Sequence, residues 1–336
     1  MIVKDINWIN SVRALCMVII YWRHVECYLG VAPFYPESTD FFYVNAFFVV
    51  SGYLYFKKLS DSNGNYGFSA QLTDILFKLV LPVIFFSAIL IIPKYLMFRH
   101  QEVSCRAICY DIFGGVASWF VAALVVAKLI LAFISKCTRV VSIYIYLICG
   151  IFTAWLGCRL SGIDPTPFPW FYKSGMIAVL FMACGGVLYY AKILENRKKS
   201  VAMFVFSILS LILIGTMIKK PICSMMSASC SLSGVVLALS ACYVIIFVMS
   251  FLPKNIICDF IGRNSIIYYF FCNAVPAAVS VGAIRLFKTS GKWYIALSVT
   301  IVSLLISSAL VYLIKHFTPF LLDIRKIPAL SARKRV

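Results

Sequence analysis

The chain alternates between long apolar runs and short polar connections. A helix crosses the apolar part of a bilayer with about 20 residues, and about ten runs approach that length. They are Ile9–Gly30, Phe41–Phe56, Ile75–Met97, Ala117–Ile134, Val140–Leu156, Met176–Ala191, Val201–Ile218, Ser231–Leu252, Ile266–Ile284 and Trp293–Ile314. We interpret each run as a membrane-spanning helix and expect the connections, including 57–74, 98–115 and 253–265, to be loops. Because no long polar stretch separates the runs, the pattern predicts a single membrane domain over residues 1–336.

The composition supports the same fold class. Hydrophobic residues make up 62% of the 336 residues and charged residues only 13%. A soluble domain carries about 25% charged residues. The predicted fold is therefore an all-α integral membrane protein, a polytopic bundle of about ten transmembrane helices.

The net charge of +19 is better explained by a membrane topology than by binding to nucleic acid. Lysine and arginine collect in the short cytoplasmic connections of membrane proteins, and no basic run here alternates with aromatic residues as a nucleic-acid surface does. With both termini in the cytoplasm, most of the 31 Lys and Arg residues fall in the inner connections. We expect a multi-pass protein with cytoplasmic termini, membrane lipid as a partner and no nucleic-acid partner.

The first predicted span holds four ionisable residues, Arg13, Arg23, His24 and Glu26. Ionisable groups at membrane depth are costly and usually functional. Since a helix turns about 100° per residue, Arg13 and His24 lie within about 20° of each other on its surface and about 16 Å apart along it. Arg23 points elsewhere, and its natural partner is Glu26 at i,i+3. The shared stripe predicts a site that runs through the bilayer.

Each of these residues alone has a simpler explanation. A single arginine at a helix end usually reaches toward the lipid headgroups, and a single histidine is usually a packed polar side chain. Four such residues in one span favour function over either explanation.

Other polar positions are weaker candidates. Asn45 introduces an amide into the second span, and Ser51–Gly52 interrupts its apolar run. Such a pair more often forms a notch for close helix packing, and the alternative is that it lines a cavity.

Most of the 13 cysteines lie in apolar runs, where a thiol behaves as a small hydrophobic group. Cys105 and Cys109, or Cys223 and Cys230, lie in polar connections and are candidates for a disulfide if those connections are extracytoplasmic. His100 with Cys105 and Cys109 lacks a fourth ligand, so we expect no metal site.

Four features resemble the membrane acyltransferase-3 family, in the same order along nearly the whole chain. The first helix of that family carries Arg, ten residues and then His, as Arg13 and His24 do here. The segments Phe47–Leu54 (FFVVSGYL), Ser118–Ile130 (SWFVAALVVAKLI) and Ile261–Phe271 (IGRNSIIYYFF) are similar to later motifs.

The chain departs from the family pattern at two places. Cys272–Asn273 stands where many relatives have histidine at the end of a late helix. Lys78 alone precedes Pro82, where two arginines are common in relatives. No soluble esterase-like domain follows the spans, so the resemblance is to a membrane-only member.

The resemblance implies an enzyme that transfers acetyl or other acyl groups to carbohydrate hydroxyls. It implies acyl-CoA, in the simplest case acetyl-CoA, as the donor and no permanently bound cofactor. The implied acceptor is a surface polysaccharide such as O-antigen, or its lipid-linked precursor, at a bacterial inner membrane. We expect His24 to act as general base and Arg13, helped by Lys78 or Arg263, to bind the donor. Residues expected beside the substrate cavity are Asn45, Ser51, Arg23 and Glu26.

Two questions stay open. His24 either deprotonates the acceptor or first takes the acyl group itself. The alternative function is a transporter or flippase for a lipid-linked glycan, which also needs intramembrane charge but usually shows matched halves with interrupted helices. A glycan polymerase is a further alternative, expected to carry a large outer loop. Neither feature is evident in the sequence, so the acyltransferase interpretation leads.

Overall fold

The computed structural model describes residues 7–32, 41–62, 66–97, 105–138, 142–164, 166, 169–218, 221–287 and 292–323, and these are almost entirely helical. The helices of the first half are α1 (Asn7–Leu29), α2 (Phe41–Asp61), α3 (Phe68–Ile75), α4 (Leu81–Met97), α5 (Cys105–Phe113), α6 (Trp119–Cys137) and α7 (Ile143–Ile163). Those of the second half are α8 (Tyr172–Tyr190), α9 (Arg197–Met217), α10 (Leu232–Phe251), α11 (Ile256–Arg263), α12 (Ser265–Phe271), α13 (Ala274–Phe287) and α14 (Trp293–Phe317).

Short elements of three kinds complete the described structure. A π-helical stretch, Leu76–Val80, joins α3 to α4. Single 3₁₀ turns lie at Val116–Ser118 and Pro319–Leu321. Strands β1 (Cys223–Ser224) and β2 (Ser229–Cys230) form an antiparallel hairpin between α9 and α10.

The described part of each predicted span is helical, except that Ile266–Ile284 is two helices with a break between them, and the three connections named above are partly helical. The connection 57–74 is wrong as a loop because α2 continues to Asp61 and α3 begins at Phe68. The connections 98–115 and 253–265 contain α5 and α11. α3, α5 and α11 have only 8, 9 and 8 residues, so they fall below the length that identifies a span. In the connection 57–74, the end of α2 carries an i,i+4 ion pair between Lys57 and Asp61 at 3.3 Å.

The helices are those of a multi-pass membrane protein. Within the described residues, seven helices are long and apolar enough to cross a bilayer, and the bent pair α12–α13 makes up to eight. Neither α1 nor α2 is in that set, because charged and polar residues lower their mean hydropathy. They are the remaining two of the predicted spans.

The helices fall into two compact units, and the division passes through α1 and α3. The first unit contains α1 as far as Cys16, α2, α3 as far as Leu72 and α6 to α11. At its centre the backbones of α2 and α8 touch. A Cβ atom at Gly52 would lie 2.0 Å from the Met182 carbonyl oxygen, and one at Gly185 would lie 2.0 Å from that of Val49. Only glycine fits at such an approach, which supports the notch interpretation of Ser51–Gly52.

The second unit contains α1 from Met17 onward, with α4, α5 and α12 to α14. The hydroxyl of Tyr21 donates to the Tyr268 carbonyl oxygen at 2.9 Å and forms a second hydrogen bond with the Ser307 hydroxyl, with Oγ at 2.7 Å. Val25 and Leu29 pack in an apolar cluster with residues of α13 and α14. These contacts fix the rotation of the second half of α1 against α12 to α14.

Candidate active site

A break in a membrane helix marks the centre of the candidate site. α12 ends at Phe271 and α13 begins at Ala274, and their axes differ by 48°. Cys272 and Asn273 form the break. Interrupted backbone at membrane depth is tolerated where it is buried in protein or lines a cavity, because its polar groups need partners. The break is therefore a natural position for a site within the second unit.

His24 lies directly beside this break. Its Nε2 atom is 3.6 Å from Cys272 Sγ. The Tyr28 ring stacks on the imidazole with centroids 6.4 Å apart and ring planes at 19°. The Tyr28 hydroxyl donates to Asn273 Oδ1. We call these four residues, two on α1 and two at the break, the histidine cluster.

The histidine cluster suits proton transfer. A neutral imidazole carries one N–H and one free nitrogen lone pair, and the contact with Cys272 occupies Nε2. The other nitrogen, Nδ1, remains for a substrate. The free ring nitrogen of an imidazole accepts a proton, so a positioned His24 can take a proton from a hydroxyl and return it to a leaving group.

Arg23 and Glu26 form a neighbouring group on the same helix. Arg23 Nη1 is 2.7 Å from Glu26 Oε2, and Trp22 Nε1 donates to Glu26 Oε1 at 2.5 Å. The predicted pairing of Arg23 with Glu26 is confirmed. The Glu26 side chain is only 3% exposed, and a carboxylate is stable at that burial because both oxygens accept charge-assisted or polar hydrogen bonds.

Arg13 lies in the first half of α1. The helix is uninterrupted from Asn7 to Leu29, so Arg13 and His24 share one stripe as predicted. Arg13 makes no hydrogen bond or ion pair with any residue that the structure describes. A half-buried guanidinium without a carboxylate favours an anionic or strongly polar ligand.

Lys78 and Arg263, the other two predicted cations, each have a carboxylate partner. Lys78 Nζ is 2.9 Å from Asp74 Oδ1, and Arg263 Nε is 2.9 Å from Asp259 Oδ1. Asn10 Nδ2 also donates to Asp259 Oδ1 at 2.7 Å. A donor phosphate must compete with these carboxylates, so Lys78 and Arg263 are poorer anion ligands than Arg13.

Asn45 and Ser51 both lie on α2 in the first unit. Asn45 is fully buried, and its Nδ2 atom lies 3.7 Å from Cys223 Sγ in the hairpin. Ser51 is half-buried beside the Gly52 contact. The structure therefore places Asn45 against the hairpin, which the sequence pattern did not predict.

Three residues of the histidine cluster were absent from the predicted site. Tyr28 follows His24 at i+4, a spacing that brings side chains together on a helix. Cys272 and Asn273 were noted only as departures from the family pattern. That departure could have identified them, because Cys272, one of the two residues that differ from the family pattern, contacts His24.

The family is shown by comparison with known proteins. The model of the acyltransferase-3 family, described as an acyltransferase domain, matches residues 6–312. The chain belongs to that family, and the protein is a multi-pass membrane acyltransferase. No curated protein and no solved structure matches the chain.

Proposed function

We propose that the protein transfers an acyl group, in the simplest case acetyl, from acyl-CoA to a hydroxyl of a surface glycan or its lipid-linked precursor. The observation that carries the proposal is the contact between His24 and the α12–α13 break, which holds an imidazole beside an interrupted membrane helix. Family membership supplies the reaction class.

His24 is the general base in this proposal. It takes the proton of the acceptor hydroxyl as the oxygen attacks the thioester carbonyl carbon. The carbon–sulfur bond breaks, and the imidazolium returns the proton to the thiolate of CoA. In the other route His24 attacks first and carries the acyl group before the acceptor arrives. Both routes need the His24 imidazole in the same position, where it contacts Cys272 and Tyr28.

Arg13 is the donor-binding residue in this proposal. It lies about 16 Å from His24 along the helix by helical rise, and it lacks a described polar partner. The long, thin arm of CoA extends along such a stripe, with its phosphates toward the Arg13 end. Lys78 and Arg263 are secondary donor contacts. Arg23 and Glu26 are candidate acceptor contacts, and the roles of Asn45 and Ser51, which belong to the first unit, stay predictions from the sequence.

The bacterial inner-membrane location in this proposal rests on the family resemblance, and the distribution of Lys and Arg residues supports both termini in the cytoplasm. Arg13 then lies near the cytoplasm, where acyl-CoA is found, and His24 lies deeper toward the outer side. Purified protein in lipid nanodiscs, given acetyl-CoA and a lipid-linked glycan, should release free CoA and yield a glycan heavier by one acetyl group in mass spectrometry. CoA release without an acetylated glycan, or no release at all, would contradict the proposal.

A glycan flippase is the second candidate, because interrupted helices are also found at transporter substrate sites, and α12–α13 is interrupted. A flippase moves lipid-linked glycan between leaflets without consuming acyl-CoA. The same nanodisc assay separates the two functions, since only the acyltransferase releases CoA in proportion to acceptor.

A further inference from the structure

A pair of cysteines closes the hairpin between α9 and α10. Cys223 of β1 and Cys230 of β2 are directly opposite each other in the strand register. Their Sγ atoms are 3.5 Å apart in the reduced form. Both side chains therefore face one another on the same side of the hairpin.

The register places this pair at a position that suits a disulfide. The Ser231 amide donates to the Ile222 carbonyl oxygen at 2.7 Å, so residues 222 and 231 form a hydrogen-bonded pair. In an antiparallel ladder the next pair, Cys223 and Cys230, is then a non-hydrogen-bonded pair, with Cα atoms about 4.5 Å apart. That separation lies within the range of about 4.4–6.8 Å that disulfides span.

The hairpin is held in place from several sides. A Cβ at Gly234 would lie 2.0 Å from the Ile222 carbonyl oxygen, so the start of α10 lies against β1. Ser161 Oγ on α7 donates to the Ser227 carbonyl oxygen at 2.6 Å. Asn45 on α2 contacts Cys223. The sulfur pair is thus presented by surrounding helices and does not depend on the hairpin alone.

A third thiol lies next to the pair. Cys158 on α7 lies close to Cys230, where α7 contacts β2. Three thiols resemble a partial metal site, but among the described residues no group of three or more His, Cys, Asp and Glu side chains has the geometry to hold a metal ion. The arrangement suits thiol chemistry instead.

We propose that Cys223 and Cys230 form a disulfide in the membrane-inserted protein. The orientation proposed above, with both termini in the cytoplasm, corresponds to an α9–α10 connection on the outer side of the membrane, where thiols are oxidised. The oxidant is the disulfide of a thiol–disulfide oxidoreductase. One cysteine thiolate attacks it to form a mixed disulfide, and the second thiolate attacks that bond. One sulfur–sulfur bond forms in the hairpin, and the two electrons and two protons that the cysteines lose reduce the disulfide of the oxidoreductase to a dithiol.

The disulfide closes the hairpin over the buried Asn45. A disulfide sulfur still accepts a weak hydrogen bond, so the contact from Asn45 survives oxidation. The inference does not depend on the acyltransferase reaction or on the role of His24.

Peptide mapping tests the proposal directly. Protein is purified from membranes without reductant and denatured in the presence of N-ethylmaleimide, which alkylates every free thiol. It is then digested with trypsin. Cleavage after Lys219 and Lys254 gives peptide 220–254, which carries Cys223, Cys230 and Cys242. Cleavage after Arg139 and Arg159 gives peptide 140–159, which carries Cys149 and Cys158.

We expect peptide 220–254 to carry one maleimide, on Cys242, and to have lost two hydrogens through the disulfide. Peptide 140–159 should be unlinked and should carry two maleimides. Three maleimides on peptide 220–254 would overturn the proposal, as would a cross-link between the two peptides, which would assign Cys158 to the bond. Cys158→Ser should leave the result for 220–254 unchanged. Cys230→Ser should remove the disulfide and leave Cys223 alkylated.

Discussion

The two halves of α1 hold their polar side chains in opposite ways. In the half that belongs to the first unit, Arg13 has no hydrogen-bond or ion-pair partner among the described residues. In the half that belongs to the second unit, His24 contacts Cys272, Arg23 pairs with Glu26, and Tyr28 reaches Asn273. A costly charge kept without a partner indicates a ligand that supplies one, whereas a ring held by neighbours is positioned for chemistry.

The largest effect expected in this comparison is that of His24→Ala. Removal of a general base costs about 10²–10⁴-fold in rate, so acyl transfer in the nanodisc assay should become undetectable while expression and monodispersity stay normal. His316, which stacks on Tyr312 at the end of α14, offers a matched control. His316→Ala should retain near-normal turnover. If His24→Ala transferred acyl groups at a normal rate, the second half of α1 would have no catalytic role.

Arg13→Ala should produce the next largest effect, and of a different kind. A hydrogen bond to a charged group contributes about 1.5–3 kcal/mol, so the apparent KM for acyl-CoA should rise by about tenfold or more with a smaller change in kcat. Steady-state kinetics with varied acyl-CoA at saturating acceptor measure this.

Lys78→Ala is the control for Arg13→Ala, because Lys78 already has Asp74 as its partner. It should change KM by less than Arg13→Ala does. Equal effects of the two variants, or an unchanged KM for Arg13→Ala, would remove the distinction between an unpartnered and a partnered cation.

Cys272→Ala should have a modest effect, because Cys272 positions His24 through a single weak hydrogen bond. A neutral hydrogen bond contributes about 0.5–1.5 kcal/mol, which corresponds to a fall in kcat of about threefold to tenfold. Cys272→Ser, which keeps a hydrogen-bonding group at that atom, should recover part of the rate, and KM for acyl-CoA should not move. A complete loss in both variants would assign Cys272 a direct part in the reaction.

The sequence pattern locates most of the fold but not its interruptions. The spans are predictable because membrane helices need about 20 apolar residues. The break at Cys272–Asn273 is hidden because apolar residues continue on both sides of it. Pro276, which lies in the first turn of α13, is the local signal of a helix start there. The hairpin is missed because each strand has only two residues, too few for an alternating pattern.

The site is predictable to a similar extent. Arg13, His24 and the Arg23–Glu26 pair follow from helical periodicity within one span. The partners of His24 at the break are distant in the chain, and Cys272 is 248 positions from His24. No local pattern relates residues at that separation, so tertiary contacts alone bring them together.

The smallest expected effect concerns how the first half of α1 is attached to α11. Burial raises the pKa of Asp259, but hydrogen bonds from Asn10 and Arg263 outweigh burial, and its pKa lies below the usual range. A carboxyl with a depressed folded-state pKa stabilises the protein above its unfolded pKa of about 3.9. That stability is lost as the pH falls through the folded-state pKa.

Asp259→Asn should therefore lower Tm slightly at pH 6 in detergent, and the difference from the parent should shrink as the pH approaches 3. Asn10→Ala should lower Tm in the parent but have little further effect in the Asp259→Asn protein, because the two residues share one hydrogen bond. A constant Tm difference between pH 6 and 3, or additive effects of the two substitutions, would show that Asp259 does not anchor α1 through its charge.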